Sequence, residues 1–147
     1  MTLTQTTKPM NKLGIITPNW PAPAQIKAFA TTRQGGSSQA PYHSLNLGDH
    51  VGDDIACVHA NRVRLQILAP HPTHWLQQVH GIAVADLTDA QPMQIADASI
   101  SNQAQRVCAV MTADCLPVLF CDTAGQVVGA AHAGWRGLLD GVLEATV

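Results

Sequence analysis

Apolar positions along this chain fall into short runs punctuated by Gly, Pro and Asp, with two stretches at helical spacing. The first begins at Asp53. Ile55, Val58, Leu65 and Leu68 line one face of a helix running to about Leu68. Asp53 is the expected N-cap, Asp54 adds negative charge to the first turn, and Pro70 and Pro72 stop the helix. Upstream, Leu13–Ile16 reads as a short strand closed by Pro18. Ile26–Ala30 reads as a strand entering the Gly/Ser-rich loop Thr31–Ser38. Downstream, Trp75–Val84 is expected as a strand and Asp86–Pro92 as a turn-rich link. Val107–Met111 and Leu116–Cys121 have the apolar density of short buried strands. Asp122–Gly125 turns the chain into Val127–Ala131. After Gly134 the spacing becomes helical again, through Leu138, Leu139, Val142 and Leu143.

Length and composition narrow this picture. A chain of 147 residues fits one domain and can bury roughly 70% of its extended surface. Met1–Lys12 is polar and Thr-rich and reads as a flexible arm (1–12), leaving 13–147 as a single domain. The last helix reaches Val147 without a capping glycine or terminal basic residues, the pattern of a chain cut inside an element. With 46% apolar and 12% charged residues, the composition excludes disorder. The net charge is −2 without a basic run, which argues against a nucleic-acid partner. The N-terminus lacks the apolar core of a signal peptide, and no apolar stretch approaches a membrane span. Cys57, Cys108, Cys115 and Cys121 form no CxxC pair, which points to a reducing cytoplasm with free thiols or a thiolate ligand.

Three residues stand out as candidates for chemistry. Of the seven histidines, His43, His50, His59, His71 and His74 fit surface, connector or packing roles. His80 lies on the expected strand Trp75–Val84, just before Gly81 and on the same face as Gln78. Taken alone it reads more readily as a strand-end imidazole bonded to a carbonyl. Cys115 occupies a polar break, Met111-Thr112-Ala113-Asp114-Cys115, between two apolar strands. Pro117 cannot donate to a ladder, which makes the following strand an edge or a bulge. The other thiols, and Cys115 by default, read as buried and inert. His132 closes an apolar strand in Ala130-Ala131-His132-Ala133-Gly134-Trp135-Arg136-Gly137, where a sharp turn leads into a helix. A helix start attracts anions, and Arg136 there adds a two-pronged donor for phosphate or carboxylate. The structural alternative is a tight turn with Trp135 packed beneath it. Two imidazoles and a thiolate suit Zn²⁺, and three protein ligands leave a position open for water or substrate. Asp114 or Gln78 would then orient a ligand or carry a proton.

Seven segments carry a family resemblance, in the order 31–37, 44–48, 50–54, 75–81, 96–98, 112–117 and 132–137. Among them are Gln77-Gln78-Val79-His80-Gly81, Ala96-Asp97-Ala98 and Ala113-Asp114-Cys115. Together the chain resembles the laccase-domain family, polyphenol-oxidase-like and purine-nucleoside-processing metalloenzymes. The resemblance implies an α/β fold, a layered α/β/β/α sandwich like the catalytic domain of cytotoxic necrotizing factor. It implies one metal, usually zinc, on His80, Cys115 and His132. It also implies phosphorolysis of adenosine, inosine and methylthioadenosine, with adenosine deamination as a companion reaction. The partners are then a small-molecule nucleoside and phosphate, without nucleic acid or membrane. Arg33, Asn46 and Arg136 are the expected substrate contacts, and Asp114, Gln78 and Arg136 the expected catalytic groups. Family members continue past the point where this chain stops, so it is expected to lack a C-terminal part.

Three other functions compete. A copper-dependent polyphenol oxidase, with Cu²⁺ on the same residues, follows from the family's name and the high affinity of copper for such donors. A hydrolase editing cell-wall muropeptides would use Cys115 as nucleophile and a histidine as base. A binding fragment without turnover is the non-enzymatic alternative.

Overall fold

The structure is a computed structural model describing residues 12–89 and 93–147. The expected flexible arm lies almost wholly outside the described residues, as does the end of the Asp86–Pro92 link. Contacts divide the chain into two compact units. One joins Phe29–Leu65 to the segment ending at Thr17; the other joins Pro18–Ala28 to Gln66–Val147.

In the first unit, β1 (Ile15–Ile16) pairs antiparallel with β2 (Ala30–Thr31), and α1 spans Ile55–Leu65. Two details of α1 differ from expectation. The cap is Asp54: its Oδ1 accepts the Ala56 N–H at 2.9 Å, and its carbonyl accepts the Val58 N–H at 3.1 Å. Asp53 turns away, accepting the Asn46 amide at 2.9 Å. The buried face is Val58, Asn61 and Leu65, while Ile55 is exposed and Leu68 lies beyond the helix. A polar residue can occupy the middle of that face because all its bonds are made. The Asn61 Oδ1 accepts the Ser37 N–H at 2.8 Å. Its Nδ2 lies within bonding distance of Ser38 Oγ and of the Ser44 and Asn46 carbonyls. The amide thereby pins the Gly/Ser-rich loop to the helix.

The second unit is built on a four-stranded sheet of order β4-β5-β8-β7: β4 (Val84–Asp86), β5 (Ala98–Ser101), β8 (Val128–Ala133) and β7 (Leu116–Cys121). β4 and β5 run parallel; β5–β8 and β7–β8 are antiparallel, with Ala131 opposite both Ala98 and Val118. β7 is an edge strand, where the missing N–H of Pro117 is tolerated. A smaller parallel pair joins β3 (Thr73–His74) to β6 (Val107–Cys108). Two short helices, α2 (Trp135–Asp140) and α3 (Val142–Thr146), follow β8, and α3 packs on β8 and β5. Small side chains on β5 and β8 admit the helix closely: Ala98, Ala131, Ala133 and Val142 form one buried cluster, edged by Val84, Val118, Phe120 and Leu143. The mixed α/β character expected from the resemblance is what the chain adopts.

The C-terminal helix expected as one piece is two. Gly141 adopts φ 98°, a left-handed conformation, and its N–H closes α2 on the Gly137 carbonyl at 3.0 Å. Trp135, offered as the residue packed beneath the turn, is instead 70% exposed. Gly134 and Gly137 take the inside positions. A Cβ on Gly137 would stand 3.2 Å from the Gly81 carbonyl oxygen. The expected strand Trp75–Val84 is the largest departure: between β3 and β4 the chain makes only a single bridge, Gln77 with Ile95. No helix among the described residues is long and apolar enough to cross a membrane.

Candidate metal centre

His132 sits on β8, opposite Pro117 of β7. Ala131 and Ala133 turn into the alanine-lined core, so alternation puts the imidazole on the other face of the sheet. Cys115 immediately precedes β7, beside the point where β8 gives way to Gly134. His80 arrives from a bend. Its φ of 62° is left-handed, which costs a residue with a Cβ about 1–3 kcal/mol. The conformation is held by Asp97, whose carboxylate accepts the backbone N–H groups of Val79 (3.1 Å), His80 (2.8 Å) and Gly81 (2.7 Å). Hydrogen bonds to a charged acceptor contribute about 1.5–3 kcal/mol each, so three of them outweigh the strain.

The three side chains meet. One donor atom from each of His80, Cys115 and His132 lies within 4.8 Å of the other two. Cys115 Sγ is 3.8 Å from His80 Nε2, and the two imidazole rings stand edge to face with centroids 4.7 Å apart. Tetrahedral zinc with ordinary N and S bond lengths holds such donors roughly 3.5 Å apart. The set therefore fits a small cation with only slight closure. Gly134 makes room for it: a Cβ there would come within 3.0 Å of both Cys115 Sγ and His80 Cδ2.

Asp97 is fully buried, and its fourth bond goes to His132 Nδ1 at 2.8 Å. Burial works against its charge, but His132 and the N–H groups of Gly81, Val79 and His80 prevail. The carboxyl is held below the usual carboxylate range. A carboxylate only accepts, so Nδ1 carries the proton and the Nε2 lone pair is left for a metal. The Cys115 thiol is pushed up by burial and by the neighbouring Asp114 carboxylate, with a smaller push from Asp97. A bound cation reverses that tendency, because a ligating thiol is deprotonated outright.

The other expected site residues fall in different surroundings. Asp114 is exposed next to Cys115. Gln78 exchanges two bonds with Met111: its Nε2 donates to the Met111 carbonyl and its Oε1 accepts the Met111 N–H, both at 2.7 Å. Arg136 is exposed, with its guanidinium 5.2 Å from the centroid of the Trp135 ring. Arg33 and Asn46 belong to the first unit. Arg33 Nε donates to the His43 carbonyl at 2.7 Å, and Asn46 donates to Asp53 and to the Gly48 carbonyl. Asp97 is the residue to which sequence reasoning gave no role, although Ala96-Asp97-Ala98 was among the resembling segments. A lone Asp flanked by two alanines, in a segment with strand-like neighbours, was the available signal.

A mixed α/β fold with a two-histidine, one-cysteine cluster defines a class of candidate metalloproteins. Residues 27–147 match the multi-copper polyphenol oxidoreductase laccase family, and the chain belongs to that family. It is 55% identical over 132 residues to a purine nucleoside phosphorylase of Pseudomonas aeruginosa, covering 90% of this chain and 54% of that protein. It is 55% identical over 141 residues to purine nucleoside phosphorylase YfiH of Escherichia coli, covering 94% of this chain and 57% of the relative. Among solved structures, a Neisseria meningitidis protein superposes with a TM-score of 0.86 at 52% identity, covering 89% of this chain and 55% of that one. YlmD from Geobacillus stearothermophilus follows at a TM-score of 0.71 and 36% identity, covering 79% of this chain and 48% of that one. The chain thus spans about half the length of the relatives it matches.

Proposed function

We propose that this chain carries the metal centre of a zinc-dependent purine nucleoside phosphorylase acting on inosine, adenosine and methylthioadenosine, with adenosine deamination as a second activity. The observation that carries the reading is the convergence of His80, Cys115 and His132, from three separate segments, to within 4.8 Å of one another. The names of the relatives supply the reaction class. His80, Cys115 and His132 would hold the cation, which when bound supplies a Lewis acid and lowers the pKa of a ligated water. In phosphorolysis a phosphate oxygen bonds to ribose C1′ as the C1′–N9 bond breaks, and the purine leaves with a proton on nitrogen. Arg136 offers an exposed guanidinium to the phosphate, with Arg33 as a second candidate. Asp114, exposed beside Cys115, is the candidate proton carrier for the leaving purine. Gln78 serves by fixing the Met111 backbone, four residues before the thiol. Asn46 is the remaining candidate substrate contact.

A second reading, copper on the same three ligands with oxidation of a phenol, is supported by the family's description. Elemental analysis of the protein purified without added metal, together with an inosine assay with and without phosphate, separates the two. The expected result is one zinc per chain, with release of hypoxanthine and ribose 1-phosphate that requires phosphate. Copper with a thiolate charge-transfer band and turnover of a phenol would replace the phosphorylase by the oxidase. Bound zinc without turnover of any of the three nucleosides would sink the phosphorylase reading.

A further inference from the structure

Two of the three candidate ligands depend on one buried side chain. Asp97 Oδ1 accepts both His132 Nδ1–H and the His80 N–H, each at 2.8 Å, while Oδ2 accepts the Gly81 and Val79 N–H groups. A carboxylate offers about four acceptor positions, and here each meets a donor. The backbone at Asp97 adds a fifth link, because its carbonyl accepts the His132 N–H at 2.7 Å. The same carboxylate therefore sets the ring orientation of one imidazole and the left-handed backbone of the other. We infer that Asp97 is a positioning residue that assembles the two-histidine half of the metal centre before any cation arrives, tethering His132 through its ring and His80 through its main chain. The inference rests on the metal reading of this site.

Substitution by asparagine tests it sharply, because no orientation of the amide fits. With NH₂ toward His132, the ring must reverse its tautomer and present N–H to the cation. With NH₂ toward Val79 and Gly81, two backbone donors lose their acceptor. Outer partners of metal-bound histidines are worth roughly 10–100-fold in affinity.

The experiment is a Co²⁺ and Zn²⁺ titration of the metal-free protein, followed by the thiolate-to-cobalt charge-transfer band. Wild type, Asp97→Asn and Asp122→Asn are compared. Asp122 Oδ1 accepts the Gln126 and Val127 N–H groups in a turn between β7 and β8, so exchanging its carboxylate for the weaker, uncharged amide acceptor lowers stability without touching the cluster. The expected result is metal dissociation constants raised about 10–100-fold in D97N, with an altered cobalt band, and unchanged in D122N. Equal affinity in wild type and D97N overturns the inference while leaving the metal reading intact. A parallel loss in D122N also overturns it, by reducing Asp97 to general stability. A wild type that binds neither ion defeats the metal reading itself. Should D97N fail to fold, nitrogen-15 NMR of metal-free wild type near pH 8 decides. His132 protonated on Nδ1 supports the tether, and His132 protonated on Nε2 overturns it.

Discussion

Arg136 carries its charge in the open, stacked over its own neighbour Trp135. The stack is worth only about 0.5–1 kcal/mol at such an exposed site, so the guanidinium is cheaply recruited by an anion. Arg136→Ala should raise the phosphate KM by roughly tenfold or more, the loss of one charge-assisted contact, with the metal content unchanged. Initial rates at varied phosphate check this, and an unchanged KM removes Arg136 from the proposed phosphate site. His80, Cys115 and His132 were legible in the sequence because imidazole and thiol are metal-binding groups by type, and each falls in a short segment with a family likeness. Asp97 was not, because its importance lies in what it accepts: partners 16 to 18 positions before it and 35 positions after it. No local pattern encodes such a convergence.

At the scale of elements, apolar density served well where a strand pairs with a neighbour along its whole length. Leu116–Cys121 is a strand over its whole expected length, and the strand expected at 127–131 runs as Val128–Ala133. It failed at Trp75–Val84 for a physical reason: the N–H groups of residues 79–81, which a sheet partner would have claimed, go to the Asp97 carboxylate. It failed again at the C-terminus, where leucine and valine spacing runs through Gly141 although the backbone there turns left-handed. In the first helix the periodic stripe was real but its centre is Asn61, a residue that hydrophobic patterning passes over. Asn61→Ala should leave the Ser37 N–H and the Ser44 and Asn46 carbonyls short of partners, and cost about 2–4 kcal/mol. Urea denaturation measures it, and a midpoint within error of wild type would deny the amide its anchoring role.

For the molecule as a whole, the shifted groups set opposite limits on pH. Asp53, Asp86, Asp97 and Asp122 all have carboxyls lowered in the fold. Each contributes stability that is present above the unfolded value of about 3.9 and lost as pH falls through the folded one. The Cys108 thiol is raised, by burial first and by the Asp86 carboxylate to a lesser degree, which together outweigh the opposing effect of the Ser99 hydroxyl. Its contribution is complete below the unfolded value of about 8.5 and fades as pH rises through the folded one. Thermal melts of the metal-free chain should therefore show a plateau from about pH 5 to 8, falling away on both sides, with the alkaline fall reduced in Cys108→Ala. An identical alkaline limb in that variant would remove Cys108 as its source. The reciprocal pairing of Gln78 with Met111 reaches further than either residue. A side-chain amide there stands in for a missing strand, splinting the stretch that leads to His80 to the stretch that leads to Cys115. If the proposed centre takes a cation, segments fastened in this way keep their spacing when it leaves, so the centre should refill quickly and with little rearrangement of the backbone.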